Sequence, residues 1–147
     1  MPNLFYLLLA GISGAAMALQ GTLNGALGKA LGVWESTFIV HVIGLMTTLF
    51  FILVLRIGFA NFSRLGEVSW YYFLGGFLNV IIIYTLVRSI PQIGVTNATT
   101  AIIVCQILSA VLIDSLGILG MKKFDFHYID LLGVALLVIG ARILLMD

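Results

Sequence analysis

Charged side chains are scarce in this 147-residue chain: seven Lys and Arg with six Asp and Glu, 9% of the total. A soluble domain ordinarily carries about 25%, and so few charges cannot keep the surface of a globule of this size in water. Cysteine is nearly missing as well. Cys105 stands alone, which excludes an intramolecular disulfide framework. The two histidines, His41 and His127, lack ligand spacing, so no metal site is expected. There is no basic tract and the net charge is +1, which argues against a nucleic-acid partner. Neither a Ser-His-Asp arrangement, nor paired carboxylates, nor a phosphate-cradling glycine loop is legible, so no enzyme and no cofactor are expected.

What is present is apolar: 62% of the residues, with a mean hydropathy of +1.21. That excludes disorder and makes lipid the solvent. A helix needs about 20 apolar residues to cross about 30 Å of hydrocarbon. The chain reads as five such runs, at about 3–28, 35–55, 70–87, 93–116 and 128–146. The runs are continuous and lack the alternation of a membrane barrel, so the expected fold is all-α. It is a single polytopic transmembrane domain over 1–147. Charge and turn residues mark the breaks: Lys29 with Gly32, Arg56 through Glu67, Arg88 with Pro91, and Met121 through His127. Aromatic residues gather near the ends, among them Trp34, Trp70, Tyr71, Tyr72, Phe124 and Phe126, as interfacial rings do. The first run lacks the basic leader of a signal peptide and continues past any cleavage site.

An odd number of spans puts the two termini on opposite sides. Arg56, Arg64, Lys122 and Lys123 then face one side, and Lys29, Arg88 and Arg142 the other. Orientation ordinarily follows an excess of Lys and Arg on the cytoplasmic side, and here there is almost none. Two readings follow: a weak bias placing the N-terminus inside, or insertion in both orientations with antiparallel pairing of copies.

Polar groups inside hydrocarbon are costly and should face protein or a water-filled cavity. In the first span Ser13, Met17, Gln20 and Asn24 share a face, and Gly21 and Gly25 form a GxxxG pattern that lets backbones approach. Gln20 and Asn24 offer donors and acceptors to a solute or to a neighbouring helix. The second span opens with Glu35, then aligns Thr37, His41, Gly44 and Thr48. Imidazole exchanges protons near neutral pH, so His41 is either a relay or a neutral packing group. Glu35 and Asp114, near span ends, are coupling carboxylates or plain interfacial acids. The third span holds Gly75 and Gly76, expected to pack, with Asn79 a turn later; Arg88 reads as a snorkelling anchor. A short turn at Pro91 would make the third and fourth spans antiparallel neighbours. In the fourth, Gln92, Thr96, Thr99, Gln106 and Asp114 form a stripe with Asn97 and Thr100 beside it.

These residues carry a resemblance. AMALQGTLNGALGKALG (16–32), FLGG (73–76), IPQIGVTNATTAIIVCQILSAVLIDSLGILG (90–120) and LLGVALLVIGARIL (131–144) resemble the YdcZ-type inner-membrane exporter family of the drug/metabolite transporter superfamily. The family pattern matches Gln20 with Asn24 and Gln106 with Asp114. It departs at Cys105 and Asn79, where glycine is expected, and at His41, where an apolar residue is commoner. The resemblance implies five helices, antiparallel dual-topology homodimers in short members, and a multi-pass protein of the bacterial inner membrane. The plan is similar to that of small multidrug resistance proteins, whose first-helix glutamate has no counterpart here. The function it implies is secondary-active export of a small metabolite or drug-like solute by alternating access. Gln20, Asn24, His41, Asn79, Thr100 and Gln106 would line the path, with Glu35, His41 and Asp114 as proton-coupling candidates. A non-transporting membrane partner or assembly protein, and a passive channel, are the alternatives.

Overall fold

The computed structural model describes residues 4–118 and 127–145, and the described residues are helical, with no strand among them. The helices are α1 (Leu4–Leu31), α2 (Val33–Val54), α3 (Leu74–Ile93), α4 (Val95–Leu116) and α5 (Tyr128–Leu144); two 3-10 segments, Ala60–Glu67 and Trp70–Phe73, precede α3. Four stretches are long and apolar enough to cross a membrane: Leu4–Leu31, Val33–Val54, Trp70–Ile93 and Val95–Leu116. α5 has 17 residues. At 1.5 Å per residue it rises only about 25 Å, less than the about 30 Å of a hydrocarbon core. The expected break over 121–126, with Lys122, Lys123, Phe124 and Phe126, lies outside the described residues.

The helix boundaries depend on backbone geometry more than on charge. α1 continues through Lys29 and stops at Gly32, whose φ of +103° suits a residue without Cβ. α3 likewise runs through Arg88 and Pro91, which corrects the expected break at that pair. Proline removes one backbone donor, a loss tolerated in membrane helices where neighbouring groups compensate. The break falls at Gly94, with φ +80°. Gln92 therefore closes α3 and does not begin the polar stripe of α4.

The expected break at Arg56 is present in detail. The Ile57 amide donates to the Ile52 carbonyl at 3.1 Å and the Arg56 amide to Leu53 at 3.2 Å, the paired bonds of a Schellman motif. Arg56 takes the left-handed conformation, φ +51°, where glycine is usual.

The chain forms two compact units, Met1–Gln92 and Ile93–Asp147. In the first, α1 and α2 meet around Gly32, and one face of α1 meets α3. Small residues make that approach possible. A Cβ built on Gly25 would stand 3.1 Å from Ile90 Cγ2, and one on Gly21 2.8 Å from Ile90 Cδ1. Gly28 is tighter still, against Val87. In the second unit α4 packs on α5, and α4 ends at Gly117 in the left-handed conformation.

Burial is inverted relative to a soluble protein. Ser36, Thr37, Asn24 and Thr100 are buried, alongside Ile83, Val87 and Ile90, while Phe38, Leu45 and Trp70 stand about 70% exposed. Apolar side chains lose nothing by facing lipid, whereas helix contacts in lipid depend on small residues and satisfied polar groups.

Candidate functional site

Several hydroxyl groups of α1 and α2 bond within their own helices. Thr22 donates to Ala18, Thr48 to Gly44, and Ser36 and Thr37 both to the Val33 carbonyl, at 3.0 and 2.7 Å. Such back-bonding satisfies the hydroxyl without a partner helix. Side-chain amides do not hide in this way, and imidazole can do so through only one of its two nitrogens.

His41, half-buried on α2, is held from two sides. Its Nδ1 lies 2.7 Å from the Thr37 carbonyl oxygen, one turn back. Its Nε2 lies 3.1 Å from Asn79 Nδ2 on α3. A carbonyl oxygen only accepts, so Nδ1 carries the proton. Nε2 of the neutral ring is then the acceptor, and the Asn79 amide donates to it. The backbone thus selects the tautomer, and the tautomer orients the carboxamide. A second proton, on Nε2, would remove that acceptor, and Asn79 would have to turn its Oδ1 toward the ring. Two side chains on different helices therefore share one proton-dependent geometry.

Asn24 presents the complementary case. It is 6% exposed, and its Nδ2 has no hydrogen-bond partner. It belongs to the α1 face of Gly21, Gly25 and Gly28, since residues three and four apart share a face. A buried donor without a partner costs about 1–3 kcal/mol, so this amide carries an energetic cost where it stands.

The other sequence-derived candidates are placed as follows. Gln20 is exposed one turn before Asn24, and Asn79 is exposed beyond its bond to His41. Glu35, in the first turn of α2, folds its carboxylate over Gly32. Gly75 and Gly76 have open space where a Cβ would be. In the second unit Gln106 is exposed and Thr100 buried. Thr100 borders a largely apolar groove of about 540 Å³ with Leu137 and Gly140. Asp114 borders another, of about 370 Å³, opposite Asp130. His41, Asn79, Asn24 and Gln20 belong to the first unit; Thr100, Gln106 and Asp114 belong to the second.

Asp130 escaped the reading of the sequence. Its carboxylate accepts from the His127 backbone amide at 2.8 Å, and the two residues form a capping box at the start of α5. The three-residue spacing was the available signal, obscured because histidine takes the place of the usual serine or threonine. No metal-binding group of His, Cys, Asp or Glu occurs among the described residues.

The family profile described as "Putative inner membrane exporter, YdcZ" matches residues 5–143. The chain belongs to the YdcZ family. Coverage extends from the first turns of α1 almost to the end of α5, so both units lie within the family's domain. Together with the four long apolar helices, this makes it a multi-pass inner-membrane protein. The YdcZ description points to transport and not to catalysis. Neither a curated protein nor a solved structure matches the chain.

Proposed function

We propose that this protein is a secondary-active exporter of a small metabolite or drug-like solute, working by alternating access. The observation that carries this reading is the His41–Asn79 pair, a proton-sensitive contact between two membrane helices. Neutral, the ring accepts from the carboxamide; protonated, it repels that donor. Proton movement would thereby alter how α2 and α3 are joined, which is what coupling requires. Asn24, with its spare donor, is the companion group for the solute.

His41→Gln and Asn79→Leu are each expected to lower solute-driven proton flux at least tenfold in pyranine-loaded proteoliposomes challenged with a panel of small metabolites. Wild-type flux from both well-folded variants would overturn the assignment. Flux that never saturates would favour a channel, and none with any solute a non-transporting partner.

The working unit, in this reading, is an antiparallel homodimer with five spans in each copy. Two features and a general rule support it. On a five-span reading, the Lys and Arg residues divide four to three between the two sides. One copy leaves Gln20, Asn79 and Gln106 exposed, and lipid cannot satisfy such amides. Sites in this kind of transporter form where inverted halves meet, and a second copy supplies the other half. In a Cys105→Ala background, a cysteine at either terminus is expected to be labelled by impermeant reagent from both faces of the membrane. Labelling from one face only would end the dual-topology reading.

A further inference from the structure

One end of the first unit carries a feature that the transport reading leaves unused. The last turn of α1, the first residue of α2 and the last turns of α3 enclose a cleft of about 400 Å³. That lies within the about 300–1,000 Å³ of ordinary small-ligand sites. Its walls are Gly28, Lys29, Val33, Arg88, Pro91 and Gln92. The polar lining is thus one ammonium, one guanidinium and one carboxamide, without a carboxylate. Neither Lys29 nor Arg88 forms an ion pair among the described residues, where Arg64 pairs with Glu67 at 3.9 Å. Glu35, the nearest acid along the chain, is turned over Gly32 and does not line the cleft.

Two further features agree in sign and in depth. α2 begins at Val33 without a side-chain cap, so the positive end of its dipole falls at the cleft wall. Trp34, next to Val33 in the chain, and Tyr84 pack at 4.6 Å between ring centroids with their planes tilted by 40°, and Tyr84 is one turn from Arg88. Aromatic rings of this kind sit at the level of lipid headgroups, and helix ends place the cleft there too. α3 runs on past Pro91 to Ile93, which brings Gln92 into the wall.

We propose that this cleft is a phosphate site, occupied by the headgroup of an anionic phospholipid. Arg88 would grip two phosphate oxygens with its planar fork. Lys29 supplies a point charge from the facing helix, and Gln92 donates its amide. Basic pockets between membrane helices bind anionic headgroups on these terms. The exposed apolar side chains of α1 and α2, such as Leu23, Leu31 and Phe38, leave room for acyl chains beside the cleft.

The test compares wild type, a Lys29→Gln/Arg88→Gln double variant, and Arg142→Gln, which removes a cation near the end of α5. Purified protein in neutral detergent is titrated with phosphatidylglycerol, phosphatidylcholine or inorganic phosphate. Bound lipid is read by native mass spectrometry, and thermal midpoint by size-exclusion fluorescence. Wild type and Arg142→Gln are expected to retain phosphatidylglycerol at least tenfold better than the double variant, and phosphatidylcholine poorly. Equal retention by the double variant, or equal loss in Arg142→Gln, would overturn the site. Full stabilisation by inorganic phosphate alone would overturn the lipid as its occupant. If the double variant does not fold, Arg88→Lys serves in its place: it keeps the charge, loses the fork, and should bind several-fold more weakly. Retention is read without any transport assay, so the result stands apart from the exporter reading.

Discussion

Gly28→Ala is expected to destabilise the protein by about 1–3 kcal/mol, the usual cost of overpacking a filled interior. A Cβ at this position would press into Val87 Cγ1 and stand 3.4 Å from Ser36 Oγ. Val87 is 1% exposed and Ser36 fully buried, so the added methyl group meets packed side chains on both sides. Gly21→Ala should be milder, because its obstacle is Ile90 Cδ1, the far end of a side chain that can change rotamer. Gly75→Ala is the control. Nothing lies within 4 Å of its missing Cβ, and alanine in a helix interior gains about 0.5–1 kcal/mol over glycine. Thermal midpoints of the three variants in one detergent measure the order. Val87→Ala should restore much of the loss when combined with Gly28→Ala, since it removes the opposing methyl groups. If Gly28→Ala melts like wild type, the register of α1 on α3 is wrong.

Asn24→Leu is expected to do the opposite in two respects at once: to hold or raise stability, and to lower export at least tenfold. The Nδ2 of Asn24 is buried without a partner, a state that costs about 1–3 kcal/mol. Leucine has a similar reach and leaves no donor stranded. A residue kept only for packing would improve on this exchange and leave flux alone. A residue kept to bind solute would lose its function while its helix gained stability. Thermal midpoint and proteoliposome flux measured on the same preparation separate the two. Wild-type flux in a stabilised Asn24→Leu would remove Asn24 from the path.

The membrane helices were largely legible in the sequence because lipid imposes one strong rule. Every backbone polar group must be satisfied within its own segment, so a long apolar run has one available structure. Their ends were less legible. Lys29 with Gly32, and Arg88 with Pro91, read as breaks, since charge, glycine and proline usually lie at span ends. α1 does stop at Gly32, a few residues past Lys29, but α3 continues past Arg88 and Pro91 to Gly94, where the backbone turns to positive φ. Long cationic side chains can reach the headgroups from inside a helix, so charge marks a boundary only to within a turn. Gln92 was assigned to the wrong helix for this reason.

The candidate site divides along the same line. That His41, Asn79, Asn24 and Gln20 are costly in hydrocarbon, and so worth attention, follows from residue type and depth alone. That His41 and Asn79 are partners does not: they are 38 residues apart, with no periodic relation between them. Nor could composition distinguish Asn24, buried and unsatisfied, from Gln20, exposed one turn away.

By itself, then, the scarcity of charge determined the solvent, the helical class and the short list of polar residues, because the transfer of a polar group into lipid is costly wherever it happens. The tertiary structure decided which glycines admit a neighbour, which amide finds a partner, and where two cations meet across a cleft. Those outcomes depend on distances of a few ångströms between helices, and such distances arise only when the side chains of separate segments pack against one another.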